Sequence, residues 1–143
     1  MYKITTPKTT SDFNQYFLLR WELLRKPWDQ KKGSERDDLE NVSEHRMVVI
    51  DGDIVAVARL HYLNETVAQI RYMAVRKEFE HRGIGKALYT ALEDEVRNNK
   101  TRKIILHARE PVIGFYEKLG FTVIKKSHVL FNQVQHFEMH KRL

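Results

Sequence analysis

Between residues 66 and 97 the chain changes rhythm twice. An apolar run of strand character, Ala68 to Val75, leads into Glu80-His81-Arg82-Gly83-Ile84-Gly85-Lys86-Ala87-Leu88. From there apolar residues recur at Ile84, Ala87, Leu88, Ala91, Leu92 and Val96, a helical stripe that fades near Asn98-Asn99-Lys100. A strand handed to a helix through a Gly-x-Gly turn confines the chain to mixed α/β architectures. The turn also has a chemical consequence. The first turn of a helix leaves backbone N–H groups unpaired and presents the positive end of the helix dipole, an arrangement suited to phosphate. Spacing narrows the choice. A dinucleotide fingerprint needs a third glycine where Leu88 stands, and a P-loop needs Lys-Ser/Thr where this chain has Lys86-Ala87. What remains is a tight turn flanked by Arg82 and Lys86. It either grips a pyrophosphate through backbone amides or caps a helix with no ligand at all.

The other elements follow from periodicity and breakers. Tyr2 to Thr6 reads as a short strand. Ser11 is the expected N-cap of a helix carrying Phe13, Phe17, Trp21, Leu24 and Trp28, which Pro27 ends. Asp29 to Ser43 is polar and reads as a loop with one helical turn around Glu35 to Glu40. Arg46 to Ile50, an Asp51-Gly52-Asp53 turn and Ile54 to Tyr62 form a hairpin, and Asn64-Glu65 turns the chain into Thr66 to Val75. Lys103 to Ala108 is a further strand. Pro111 opens a short helix with Val112, Phe115, Tyr116 and Leu119 on its apolar face and Gly120 as its stop. Phe121 to Lys126 and Val134 to His140 close the chain as strands. The expected fold is α/β (α+β): one domain over residues 1–143, built on a mostly antiparallel mixed sheet of about seven strands with helices on both faces.

Composition excludes several function classes. The chain has no cysteine, which removes disulfides, thiolate catalysis and cysteine-bound zinc. No apolar run reaches the roughly 18 residues of a membrane span, and the first residues lack the basic-then-apolar layout of a signal peptide. A cytoplasmic enzyme is the resulting expectation, with no membrane partner. The net charge of +6 suits a nucleic acid or a polyanionic small molecule. The cations are scattered, however, at Lys31-Lys32, Lys100 to Lys103, Lys125-Lys126 and Lys141-Arg142, and no aromatic-basic surface motif accompanies them. Nucleic acid is therefore the weaker reading.

A second motif, Gly114-Phe115-Tyr116-Glu117-Lys118-Leu119-Gly120-Phe121, lies some thirty residues beyond the first. An aromatic pair on a short helix is ordinary core material. A phenol, protonated at neutral pH, can also serve as a general acid. In combination, the glycine turn after Met73-Ala74-Val75, the strand Ile104 to Ala108 and the Tyr116-to-Phe121 helix end resemble the GCN5-related N-acetyltransferase (GNAT) superfamily. That family's pattern is Q/R-x-x-G-x-G/A before a helix with Tyr-x-x-x-Gly-Phe downstream. The motifs span residues 66 to 123, and the order of the flanking elements extends the resemblance to the whole chain.

The resemblance implies acetyl-CoA as acetyl donor and an amine as acceptor, both held in one ternary complex. Met73, Ala74 and Val75 would bind the thioester and pantetheine arm, with a backbone N–H near Met73 at the oxyanion. Backbone amides of His81, Arg82, Gly83, Ile84, Gly85, Lys86 and Ala87 would hold the pyrophosphate. Arg109 and Phe115 would border the coenzyme, and Tyr116 would protonate the departing thiolate. Glu80 departs from the family pattern, which has Gln or Arg there, and Arg109 stands where many members have Asn. Homodimers are common in the family. His61, His136, Glu44, Glu110 or water are the candidate bases by type, and no spacing suggests a metal site. Acceptor specificity in such a fold would rest on Trp21, Arg25, Trp28 and the Asp29 to Ser43 loop, with Arg59 and Arg71 on the central strands. The two arginines interrupt otherwise apolar strands, and an acidic group on the acceptor would suit them if both face the cleft. A coenzyme A-binding sensor without catalysis is the alternative the fold allows.

Overall fold

A computed structural model describes residues 1–143. Its frame is one seven-stranded sheet in the order β1-β2-β3-β4-β5-β7-β6. The strands are β1 (Lys3–Thr5), β2 (Glu44–Ile50), β3 (Asp53–Tyr62), β4 (Val67–Val75), β5 (Lys103–Arg109), β6 (Thr122–Leu130) and β7 (Val134–Arg142). Three helices complete it: α1 (Thr10–Leu24), α2 (Ile84–Arg97) and α3 (Ile113–Lys118). All neighbouring strands are antiparallel except β4 and β5, which run parallel.

The helices divide between the two faces because the strands alternate. On β3, Ala56, Ala58 and Leu60 join Ala68 and Ile70 of β4 and Ile104, Leu106 and Ala108 of β5 under one face. Ile84, Leu88, Tyr89, Leu92 and Val96 of α2 cover that face, together with Tyr116 of α3. The opposite face presents Met47 and Val57 to Tyr16, Phe17 and Leu19 of α1. Each fully buried Leu or Ile contributes roughly 1.5–3 kcal/mol by leaving water, so these two layers set the position of everything between them.

Several boundaries differ from the sequence expectation. Helix α1 is capped by Thr9, not Ser11: the Thr9 hydroxyl accepts from the Asp12 amide while Asp12 accepts from the Thr9 amide, a reciprocal capping box. Its buried side is Tyr16, Phe17, Leu19 and Arg20, with Phe13 packed beside them, so Phe13 and Phe17 of the expected stripe face the core while Trp21 does not join it, and Trp28 lies past the helix in a 3-10 turn, Lys26–Trp28. The helical turn expected around Glu35 to Glu40 is a 3-10 turn at Glu40–Val42. A 3-10 turn, Glu110–Val112, precedes α3 and takes Pro111. Strand β6 runs on to Leu130 because its ladder with β7 resumes after two register shifts.

Candidate functional site

The parallel pair β4–β5 is joined over only three residues, Val67 to Gln69 against Lys103 to Ile105. Beyond Gln69 the strands part. Two causes are visible. On its other side β4 bulges, so that Ala58 of β3 faces both Tyr72 and Met73, and Tyr72 takes the left-handed φ of 56° that a β-bulge accommodates. Past Ile105, β5 is paired on its far side with β7 through Arg109 and does not follow β4. A wedge-shaped opening results, with Tyr72 to Val75 along one edge and Leu106 to Arg109 along the other.

The glycine turn closes one end of this wedge. Gly83 has φ 79° and precedes α2 with no side-chain cap. A Cβ there would touch nothing, so glycine is required by conformation alone. At Gly85 the constraint is space: a Cβ would lie 3.2 Å from the Phe115 ring, which would have to yield slightly, and 3.6 Å from Val75 Cγ2. Its bareness lets the first turn of α2 sit against the end of β4 and the start of α3. The amides of Arg82, Gly83, Ile84, Gly85 and Lys86 donate to no group of the chain. His81, with φ 63°, adds local strain at the same turn. Glu80 and His81 are both exposed, with Glu80 Oε2 4.0 Å from His81 Nε2, while the Arg82 guanidinium lies over the Phe79 ring at 5.2 Å. The donors therefore outnumber the single acid beside them, an arrangement whose chemistry suits an anion.

Tyr116 sits on α3 between Phe115, 5.0 Å away edge-on, and Phe121 at 5.8 Å. The ring is buried, and its hydroxyl has no partner in the chain. Burial pushes the phenol up to about 12, against the opposing charge of Arg109. The group is therefore a protonated donor throughout the neutral range.

On the α1 side of the wedge the residues come from distant segments. Arg59 is fully buried; its guanidinium clasps Asp37 at 2.6 and 3.0 Å and reaches Glu40 at 2.9 Å. Arg20, also fully buried, takes Glu40 at 2.9 Å and the Glu35 carbonyl. Arg71 is partly exposed and gives one nitrogen to Asp37 at 2.8 Å. Four guanidiniums, those of Arg20, Arg25, Arg59 and Arg71, surround the Tyr72 ring within 5.6 Å. Arg25 also lies 5.4 Å from Phe131 in the β6–β7 turn, which brings that turn against the end of α1. The sequence reading singled out Arg25, Arg59, Arg71 and the Asp29 to Ser43 loop that holds Asp37, but missed Tyr72 and Phe131. Only the Asp37 to Glu40 acids in a long polar loop hinted at partners for strand arginines. Trp28 lies partly buried beyond α1, and the arginines gather round Tyr72 instead.

Across the opening stand three histidines. His107 of β5 lies 5.3 Å from His128, and His128 stacks on His136 at 4.4 Å. Burial lowers all three, and Arg71 adds to the effect at His107 and His128. His136 Nδ1 lies 3.0 Å from the Val134 carbonyl. A carbonyl only accepts, so Nδ1 carries the proton and Nε2 keeps a lone pair. Of the other candidate bases, His61 faces Arg59 Nη2 through Nδ1 at 3.3 Å, Glu44 pairs with Arg46 outside the wedge, and Glu110 is exposed.

The acetyltransferase (GNAT) family model matches residues 13–121. The uncharacterized N-acetyltransferase YjcF of Bacillus subtilis is 27% identical over 139 residues, covering 97% of this chain and 99% of that protein. Ard1 from Thermoplasma volcanium superposes with a TM-score of 0.83 at 19% identity, covering 99% of this chain and 97% of the other. An aminoglycoside 6'-N-acetyltransferase solved with coenzyme A gives 0.79 at 16% identity, with 99% and 96% covered. The family match runs from inside α1, through the parted strands and the glycine turn, to the residue that ends the Tyr116 helix motif, and so the chain belongs to the acetyltransferase (GNAT) family.

Proposed function

We propose that the protein is an acetyl-CoA-dependent N-acetyltransferase that moves an acetyl group to a primary amine by direct attack within a ternary complex. The observation that carries this reading is the alignment of the unspent amides from Arg82 to Lys86 with the strand opening and the unpartnered Tyr116 hydroxyl. The coenzyme would supply an acetyl group already activated as a thioester, and the structure solved with coenzyme A in the same fold supports that choice. Amides from His81 to Lys86 hold the pyrophosphate, with Arg82 and Lys86 adding charge; the Ala87 amide, also expected there, is spent on the Gly83 carbonyl at 3.0 Å. Met73, Ala74 and Val75 lie along the pantetheine arm, beside Phe115 and Arg109.

The chain's own groups then handle one proton at each end. His136, neutral at pH 7 and fixed in one tautomer, takes the ammonium proton of the acceptor at Nε2, directly or through water. The Met73 N–H, next to the bulge, faces the oxygen that gains charge, a contribution worth about 3 kcal/mol in comparable sites. Tyr116 donates its proton to the leaving sulfur, and its raised pKa keeps that proton available.

Thermal shifts with acetyl-CoA, coenzyme A and a nonspecific oligonucleotide test the assignment, together with thiol release over a panel of amines. Stabilisation by both coenzyme forms and amine-dependent thiol release are expected. Stabilisation by the oligonucleotide alone would overturn the reading, and coenzyme binding without turnover of any amine would indicate a sensor.

A further inference from the structure

The arginine cluster on the α1 face carries more positive charge than its acids neutralise. Five guanidiniums, those of Arg20, Arg25, Arg36, Arg59 and Arg71, meet three carboxylates, Glu35, Asp37 and Glu40. Arg20 and Arg59 take the carboxylates at close range, and Arg36 takes Glu35 at 3.0 Å. The excess is felt at Arg25, which meets no carboxylate, and at Arg71, which shares Asp37 with Arg59. Arg25 is 7% exposed and bonds only to the carbonyls of Ser34 and Leu24, through Nε and Nη1, so Nη2 is unspent. Arg71 uses Nη1 on Asp37, which leaves its Nε–Nη2 edge free. Between them lies Tyr72, whose hydroxyl has no partner in the chain.

These three donors gather at the Tyr72 ring, beside the point where β4 and β5 part. Arg71 follows Gln69, the last β4 residue paired with β5, and the bulge at Tyr72 sends that side chain to the same face. The β6–β7 turn closes over Arg25 through Phe131. The opposite wall is rich in histidine: His107, His128 and His136 are lowered by burial, and the one acid acting on His107, Glu138, is bonded to His140 at 2.7 Å.

We propose that this chamber binds a primary amine that also carries a carboxylate, with the carboxylate on the Nε–Nη2 edge of Arg71, Arg25 Nη2 and the Tyr72 hydroxyl. The planar carboxylate matches the single two-donor edge that Asp37 leaves on Arg71. The same positive field disfavours an ammonium ion, so the bound acceptor releases its proton more readily and attacks as the free amine. The proposal rests on the acetyltransferase reading above and specifies its acceptor class.

The test compares kcat/KM for matched amines with acetyl-CoA: amino acids against their amides, and an aminoalkyl phosphate against its amino alcohol. Wild type is expected to favour the carboxylates over their amides by about 10–100-fold, chiefly in KM, as charged hydrogen bonds allow. Arg71→Gln brings that ratio close to one, and Arg71→Lys restores part of it. The coenzyme-induced thermal shift of each variant reports that it is folded. Equal turnover of acids and amides, a preference that survives Arg71→Gln, a preference for the phosphate, or no turnover of any acid would each overturn the proposal. Failure of the acetyltransferase reading looks different: acetyl-CoA would not stabilise the chain and no amine of either kind would react, and the proposal would fall with it.

Discussion

Asp37→Asn tests the network that holds the Asp29–Ser43 loop against the sheet. Asp37 accepts four hydrogen bonds: two from Arg59, one from Arg71 and one from the Leu39 amide. The substitution turns one acceptor into an NH₂ group that faces guanidinium donors, and leaves the fully buried Arg59 with Glu40 as its only counter-ion. Breaking a buried pair costs about 3–5 kcal/mol. Asp37 is 24% exposed and Glu40 keeps its contact, so about 2–4 kcal/mol is expected here. For a chain of this length that is a fall in Tm of roughly 3 °C per kcal/mol.

The pH dependence adds a second, independent check on the same side chain. Burial alone would raise the Asp37 carboxyl, but the Arg59 hydrogen bonds, the Leu39 amide and the charges of Arg59 and Arg71 outweigh it and hold the group far below the usual carboxylate range. A depressed folded-state pKa stabilises the fold above the unfolded value, near 3.9, and that stability drains as pH falls toward the folded value. Urea unfolding at several pH values should therefore show the full gap between wild type and variant at pH 7, narrowing below about pH 4 by up to 1.4 kcal/mol per unit. A variant within about 0.5 kcal/mol of wild type at pH 7 would refute the reasoning, as would a gap that stays constant down to about pH 3.

Three further perturbations probe the site. Tyr116→Phe should lower kcat about 100-fold in steady-state assays while the acetyl-CoA dissociation constant stays nearly unchanged. Gly83→Ala should cost about 1–2 kcal/mol of stability from its left-handed φ, whereas Gly85→Ala trades helix propensity against displacement of Phe115 and should mainly weaken coenzyme binding, both read by unfolding and calorimetry. His136→Gln should remove the limb of the kcat/KM profile below pH 6.5: its pKa is lowered by burial, so the active neutral form gains with rising pH only in that acid range. The acceptor amine's own limb lies higher and should persist.

How far the sequence carried depends on the range of the interactions. The strand–turn–helix around Gly83 and the Tyr116 helix were legible because glycine, proline and periodicity act within a few residues. The cap of α1 was misread because Thr9, Thr10 and Ser11 all qualify by type, and only Asp12, three residues after Thr9, selects among them. The Tyr72 bulge carries no local signal, since a tyrosine at positive φ is held there by the sheet around it. The pairing among the arginines was hidden for a related reason. Asp37 meets Arg59 and Arg71 across more than twenty intervening residues, so only the folded sheet reveals which arginines are neutralised and which are left free.

The central claim is acetyl transfer to an amine, and the most direct measurement is mass spectrometry of the acceptor alongside thiol release from acetyl-CoA. One N-acetyl product per thiol released, dependent on added amine and strongly reduced in Tyr116→Phe, is the predicted result. Thiol release without an acetylated amine, or coenzyme binding with neither, would contradict it.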